Sequence, residues 1–530
     1  MTTSAKTPPK VTYTNSGTDF GLLHELYDEA IPALGAKLGR RHPNWIGGQP
    51  STAGEVYVAR SPIDSDIVLG EFYAATPQEV ERAIAVAHGA QRGWQAIGWE
   101  KRVVILRRIA EEIDRRKMEL CAAAIYEVGK SRLEASAEVD ETSDLIRHYA
   151  AEMERSDGFA GEQKRGFQGE DVRSIQRPYG VFGVIAPFNF PFALVCGMMS
   201  AALVAGNAVV FKPSPMAGLS ATLIQECFAA GGLPDGVLNI LNGHDVTGRA
   251  IVEAPGIDGI AFTGSNDVGM TILRHFASGP FAKPVLAEMG GKNPSYVSAR
   301  ANFDDAVAGV RESAFGLQGQ RCSANSVCFV ERPIFENFVN ALAGRTAELS
   351  IGDVRDRATY MGAVVNEAAG ERWQRAVDAA RQHGRIVRGG NRLAGGLFDR
   401  GAYVEPTIVT DLPDGHDLYQ KELFAPFIVL RPYDTLEEAL KLGNSVRFGL
   451  SAGIYSQDQA EVDYFADNVE AGVLYANRAL GATTGAWPGV QSFCGWKGSG
   501  MTGKGGLGNW YVPQFMREQG RTFMPIQRLG

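Results

Sequence analysis

Between Pro77 and Met153 apolar residues return at three- and four-residue steps. In WEKRVVILRRIAEEIDRRKMEL the residues Val103, Leu106, Ile109, Ala110 and Ile113 share one face, with charges between them. That is the pattern of helices laid against a core. Residues 166–180 (GFQGEDVRSIQRPYG) then turn polar and alternate, which predicts an exposed hairpin arm. From Val181 short apolar runs at 181–186, 208–211, 237–241 and 259–263 predict buried strands, separated by helical stretches such as LSATLIQECFAAG (219–231). Strands alternating with helices predict a parallel sheet with crossover helices. A second alternating region follows Lys292, with strands predicted at 326–330, 386–388, 403–409, 427–432 and 451–455 and a helix at 436–445. The simplest architecture is α/β, two lobes with a cleft between them, and ligands favour such crevices.

Residues 181–211 (VFGVIAPFNFPFALVCGMMSAALVAGNAVVF) contain no charge, and a run of that length could cross a membrane. Pro187, Asn189 and Pro191 interrupt it, and Gly197, Gly206 and Asn207 punctuate it further. The run therefore reads as buried strand, irregular loop (187–192), buried helix (193–205) and a second strand. An Asn among apolar residues needs a partner. Asn189 is then either a functional polar group or an Asn that closes the turn.

Composition narrows the class. The net charge is 52 − 60 = −8 over 530 residues, without the basic stripe of a nucleic-acid surface. Hydrophobic residues make up 45% and charged ones 21%, enough to bury large cores and too apolar for a disordered chain. The length predicts two to four domains. Six scattered cysteines show neither metal-like CxxC spacing nor a disulfide framework, so no metal and a reducing cytoplasm are expected. The first residues have no secretory apolar stretch and read as a flexible lead-in.

Four segments carry candidate chemistry. In SAFGLQGQRCSANS, Cys322 has small neighbours that would let a substrate carbon approach its sulfur; the alternative is a buried structural thiol. In PVLAEMGGKNPSYV, Glu288 closes an apolar run before Gly290 and Gly291. A partly buried carboxylate there would have its pKa raised toward base duty; the alternative is a strand-end glutamate in solvent. VVFKPSP sets Lys212 just after a central strand, where a parallel sheet presents groups to a nucleotide. IAFTGSNDVG runs from strand through Gly264 and Ser265 into a helix start, where backbone amides could meet a pyrophosphate. For both of these the alternative is a plain connection.

Taken together, APFNFPF, FKPSP, FTGS, EMGGKNP, GQRCSA, KELFAPF and NRALGATTGAWPGVQSFCGWKGSG, in this order, resemble the aldehyde dehydrogenase superfamily from about Arg41 onward. AFGLQGQRCSA and the last of these segments look most like the 1-pyrroline-5-carboxylate dehydrogenases, which oxidise glutamate-γ-semialdehyde to glutamate. The resemblance implies two Rossmann-like lobes, cofactor-binding (30–165 and 181–290) and catalytic (291–485), with a small β oligomerisation arm (166–180 and 496–530). It implies that Cys322 is the nucleophile and that Asn189, with the Cys322 backbone N–H, stabilises the oxyanion. Glu288 would activate the hydrolytic water. Lys212 would bond the adenosine ribose of NAD, Gly264 and Ser265 would approach the pyrophosphate, and Glu422 and Phe424 would hold the nicotinamide ribose. Ser323, Gly485 and Ala486 would anchor the substrate carboxylate, with Glu138 near its amine. A small-molecule aldehyde and a second copy of the chain, in a homodimer or larger assembly, are the implied partners; nucleic acid and membrane are not.

Four positions in three segments depart from the family pattern. Pro215 stands where many NAD-dependent members carry a ribose-binding acid, which opens the site to NADP. Ser492 and Cys494 sit in QSFCG where the subfamily more often has QPFGG, which leaves the aldehyde itself open. Met289 replaces a usual Leu or Thr. The competing readings are an aldehyde dehydrogenase of other or broad specificity, a cysteine hydrolase or acyltransferase, and a catalytically inert binding protein. A cysteine hydrolase typically pairs its Cys with His, yet none of the eight histidines falls in a motif beside Cys322. Retention of Cys322, Glu288 and Asn189 together speaks against the inert reading.

Overall fold

The computed structural model describes residues 7–12, 15, 20–479 and 485–525; residues 480–484 of the NRALGATTG motif lie outside it. Two seven-stranded sheets organise the chain. In the first, the parallel strands run Val285–Met289, Gly259–Gly264, Val181–Ile185, Ala208–Lys212 and Leu238–Ile240, and the strands Asn44–Ile46 and Gln49–Ser51 continue it antiparallel. The chain winds from Val181–Ile185 through Ala208–Lys212 to Leu238–Ile240, then returns to the other side of its starting strand at Gly259–Gly264. Connections leave these two neighbours in opposite directions. Their carboxyl ends therefore splay a crevice, where open α/β sheets take ligands. The loop carrying Asn189 leaves one strand, and Ser265 follows the other.

The second sheet runs Arg385–Arg388, Thr407–Thr410, Phe427–Tyr433, Asn325–Glu331, Asn293–Val297, Ser451–Tyr455 and Val473–Ala476, parallel except for its first strand. The strand predicted at 403–409 begins only at Thr407, because Pro406 has no N–H for a ladder. Two members of this sheet are not in the sequence prediction. Asn293–Val297 hides behind Pro294, which sits where the register slips beside Asn325–Glu331, one of the few places a sheet tolerates proline.

The helical region at 77–153 divides into Pro77–Ala96, Trp99–Arg115, Lys117–Val128 and Arg132–Arg155. Val103, Leu106, Ile109, Ala110 and Ile113 are all buried as their spacing predicts. Arg132–Arg155 packs against Ala193–Val204, which is buried all round, as expected of a helix apolar on every face. Its Ser131 and Glu134 form a capping box, in which side chain and backbone satisfy each other's orphan donors. Glu127, at the end of the preceding helix, accepts from the N–H groups of Leu219 and Ser220 (2.7 and 2.9 Å) and from the Ser220 hydroxyl. The lead-in is pinned rather than loose at Val11, which is buried and donates its N–H to Asp140 (2.6 Å).

The polar arm is real but differs in composition from the predicted hairpin. Asp171–Pro178 pairs antiparallel with Met516–Phe523 along its whole length and with Ala160–Glu162 on its other side. Residues 496–515 are not part of it. Trp496–Lys497 pairs with Phe448–Gly449, and Phe515 is fully buried against Phe182 with ring centroids 4.9 Å apart. The carbonyl of Phe515 also accepts from Asn207 (2.9 Å). Phe515→Ala is expected to cost about 3–5 kcal/mol, read as a lower urea midpoint at unchanged slope. An unmoved midpoint would show that the tail is not anchored in the core.

Candidate active site

Cys322 lies on the irregular segment between the helix Phe303–Phe315 and the strand Asn325–Glu331. This segment is held from several sides. Leu317 and Gln318 both take left-handed backbone conformations (φ 50° and 55°), which non-glycine residues keep only when their surroundings enforce them. Gln318 donates to the Gly129 carbonyl (3.0 Å), and the Gln320 side chain accepts from Val365 N–H (2.9 Å). A Cβ at Gly319 would come within 2.3 Å of the Ala425 carbonyl oxygen, so only glycine fits. Asn293 donates to the carbonyls of both Cys322 and Ala324 (2.8 and 2.9 Å). The Cys322 thiol is pushed up to about 12, by burial first and then by the Glu422 and Glu288 carboxylates.

Glu288 sits at the carboxyl end of Val285–Met289, at the crevice. One carboxylate oxygen accepts from Gly495 N–H (3.2 Å). Burial pushes this carboxyl up to about 8, with the Gly495 hydrogen bond opposing. Glu288 and Cys322 line one cavity of about 110 Å³, together with Ser323, Ala486, Phe190 and Glu141. Asn189 is buried on the neighbouring loop and donates its side-chain amide to the Gln320 carbonyl (2.9 Å), two residues before Cys322. An amide nitrogen carries two hydrogens, so this bond fixes Asn189 and leaves it a second donor.

The residues expected to hold a dinucleotide gather around the crevice. Lys212 ends its strand, buried, and donates to the Pro213 carbonyl (2.8 Å). Burial lowers its ammonium to about 8 against the opposing charge of Asp245. Ser265 is the N-cap of Asn266–Ala277, accepting from Val268 N–H (3.4 Å), with Gly264 just before it. Glu422 accepts from Gly291 N–H (2.9 Å), and burial raises its carboxyl to about 7 with Lys292 and Arg372 opposing. Lys292 is itself buried and lowered to about 7. Phe424, also left-handed (φ 54°), meets Phe188 edge-on at 6.0 Å. The set fits a dinucleotide: a buried cation, a capped helix start and a half-buried carboxyl lie about one crevice. Among the described residues no group of His, Cys, Asp and Glu could hold a metal ion.

Two substrate-side expectations are corrected. Glu138 does not line the cavity. Fully buried, it pairs with Lys130 (2.7 Å) and accepts from Phe192 and Ala193 N–H (2.8 and 3.3 Å). The acid that lines the cavity is Glu141. In AEVDE both acids lie on one helical face, so periodicity could not separate them. Gly485 is likewise absent from the cavity wall, where its neighbour Ala486 is present. Arg321 and Phe190 line the cavity without any sequence signal beyond adjacency to Cys322 and Asn189.

Cys322 and the raised Glu288 carboxyl thus line one cavity, and the fixed Asn189 amide lies on the loop beside it. The sequence profile of the aldehyde dehydrogenase family matches residues 49–519, and the chain belongs to that family. It is 33% identical over 486 residues to a 1-pyrroline-5-carboxylate dehydrogenase of Geobacillus sp. (strain WCH70), covering 91% of this chain and 92% of that protein. It is 34% identical over 440 residues to an alpha-ketoglutaric semialdehyde dehydrogenase of Bacillus subtilis (strain 168), covering 82% and 89%. A solved 1-pyrroline-5-carboxylate dehydrogenase from Thermus with bound NAD superposes with a TM-score of 0.91 at 32% identity, covering 99% of this chain and 100% of that one.

A general base works only when ionised. With Glu288 raised to about 8, turnover limited by hydrolysis should climb roughly tenfold per pH unit below that value and level off above it. A pH profile of kcat checks this, and Glu288→Gln should lack the limb. A limb that survives the substitution would remove Glu288 from this role.

Proposed function

We propose that this protein oxidises an aldehyde to a carboxylate through a thioester on Cys322, with NAD, or NADP, as the oxidant, and that its substrate is L-glutamate-γ-semialdehyde. The product is then glutamate, as in proline catabolism. The observation that carries the reading is the single cavity lined by both Cys322 and Glu288, on a chain of the aldehyde dehydrogenase family.

In this reading the Cys322 sulfur, giving up its proton, bonds to the aldehyde carbon, and the carbonyl electron pair moves onto oxygen. The second Asn189 amide hydrogen and the Cys322 N–H meet that oxyanion; losing one such donor costs roughly 10²–10³ in rate. When bound at Lys212, Ser265, Glu422 and Phe424, the dinucleotide supplies the acceptor for the hydride that the tetrahedral carbon gives up. Glu288 then takes a proton from water. The hydroxide adds to the thioester carbon, the C–S bond breaks, and the thiolate and carboxylic acid separate. A cysteine hydrolase needs a histidine at the thiol, and the residues lining this cavity include none.

The identity of the aldehyde rests on Glu141. Glutamate semialdehyde carries an α-ammonium, which a carboxylate in the cavity favours, whereas α-ketoglutaric semialdehyde carries a neutral carbonyl there. Ser323 and Ala486, which line the cavity, serve the α-carboxylate. Pro215 gives the adenosine ribose no acid to repel a 2′-phosphate, which supports use of NADP beside NAD. Met516–Phe523 is an edge strand of the arm, and exposed edges seek a partner; this supports a homodimer or higher homo-oligomer. No helix among the described residues is long and apolar enough to cross a membrane, in keeping with work in the cytoplasm.

A panel of aldehydes run with both cofactors tests the reading. Reduced nicotinamide should form fastest with glutamate semialdehyde, Cys322→Ala should abolish it, and Glu141→Ala should raise KM for that substrate but not for its keto analogue. Pro215→Glu should shift preference toward NAD by roughly tenfold or more, as a charge at the 2′-position requires. No reduction with any aldehyde and either cofactor would refute the proposal.

A further inference from the structure

We infer that Glu134 and Glu138, neighbours one turn apart on the helix Arg132–Arg155, are positioning residues that together set the separation of Cys322 from Asn189. The inference rests on the reading of Cys322 as nucleophile and Asn189 as oxyanion donor.

Glu134 divides its two oxygens between two tasks. Oε2 stays in the capping box, accepting from the Ser131 N–H and hydroxyl (3.1 and 3.0 Å). Oε1 reaches outward to the Leu317 N–H and the Arg321 guanidinium, both at 2.7 Å. The cap thus fixes the carboxylate plane, and the outer oxygen seizes the Cys322 segment at two points. One is the left-handed residue Leu317, and the other is the residue immediately before the nucleophile. A strained backbone relaxes unless something holds it, and a charge-assisted bond to a buried arginine is among the stronger holds available.

Glu138 divides its oxygens in the same manner. Oε1 accepts from Phe192 and Ala193 N–H (2.8 and 3.3 Å), the open end of the helix Ala193–Val204, which has no side-chain cap of its own. Oε2 pairs with Lys130 (2.7 Å), whose ammonium lies 3.7 Å from the centre of the Phe190 ring. Phe190 and Phe192, the residues that follow Asn189 in its loop, are therefore both held by one buried pair. Residues four apart lie one above the other on a helix, so the spacing of the two loops is set by the spacing of two side chains on one rigid element. The Asn189–Gln320 hydrogen bond closes the figure.

Lys117 and Asp140 provide a matched control. They form another buried ion pair (2.6 Å), Asp140 lying on the helix Arg132–Arg155 and Lys117 on Lys117–Val128, and among the described residues neither is bonded to either loop. Variants Glu134→Ala, Glu134→Gln, Glu138→Gln and Asp140→Asn would be compared for Tm, for kcat and KM, and for the rate at which iodoacetamide alkylates Cys322, read by intact mass. Glu134→Ala is expected to lower kcat roughly 10²-fold, the scale of a lost oxyanion donor, with KM changed by less than about threefold. Glu134→Gln, which keeps one acceptor oxygen and loses the other acceptor and the charge, should lose roughly tenfold. Glu138→Gln should lower kcat while leaving the alkylation rate near wild type, since it holds the Asn189 side of the pair. Glu134→Ala should change the alkylation rate as well. Asp140→Asn should lower Tm comparably and leave kcat and alkylation unchanged.

Equal kcat losses in Asp140→Asn and the glutamate variants would reduce both glutamates to ordinary structural residues and overturn the inference. Should Glu134→Ala fail to fold, Glu134→Gln against Asp140→Asn decides the same point. Turnover surviving in Cys322→Ala would instead remove the underlying reading of the site, an outcome separate from these comparisons.

Discussion

One hydrogen bond joins the two halves of the chemistry. The Asn189 side chain comes from the loop that leaves the first sheet, Gln320 from the segment that enters the second, and they meet at 2.9 Å. Sheet-to-sheet architecture alone brings such loops near each other; it does not fix them to the fraction of an ångström that the proposed oxyanion stabilisation would need. That precision comes from below, where the helix Arg132–Arg155 sends Glu134 to one loop and Glu138 to the other. About two turns of one helix thus serve the site, since Glu141, farther along the same face, lines the cavity itself.

Desolvation is the second constraint, and it shifts four ionisable groups at the cavity and crevice in its expected direction. Glu288 and Glu422 rise to about 8 and about 7, Cys322 to about 12, and Lys292 falls to about 7. For Glu288 the rise is useful, because a base poised near the working pH transfers protons best. For Cys322 it is a cost. The thiol faces two carboxylates without a cation hydrogen-bonded to it, so its reactivity depends on what else enters the crevice. A cationic ring beside the sulfur would oppose both carboxylates.

Much of this was legible in the sequence, for identifiable reasons. The central strands of the first sheet are short, mostly apolar and bounded by turns; Val181–Ile185 and Ala208–Lys212 lie within a residue of prediction. Glu288 and Asn189 stood out because each interrupts or ends an apolar run, where a polar group needs a reason, and Cys322 because small residues follow it after a glycine-interrupted polar loop. What was hidden depends on long-range pairing. Pro294 masked a central strand because the compensating bulge lies on its partner. Glu138 and Glu141 share a helix face, and only the position of Lys130 and of the Phe192 amide decides which turns to the cavity. The tail looked like an arm throughout, since nothing local shows that Phe515 has a pocket waiting beside Phe182.

The most direct test of the account is a single turnover of Glu288→Gln protein with glutamate semialdehyde and NAD, followed by intact mass and peptide mapping. The account predicts one nicotinamide reduced per chain and a covalent acyl group retained on Cys322. Continued release of glutamate at the wild-type rate, or an acyl group on any other residue, would contradict it.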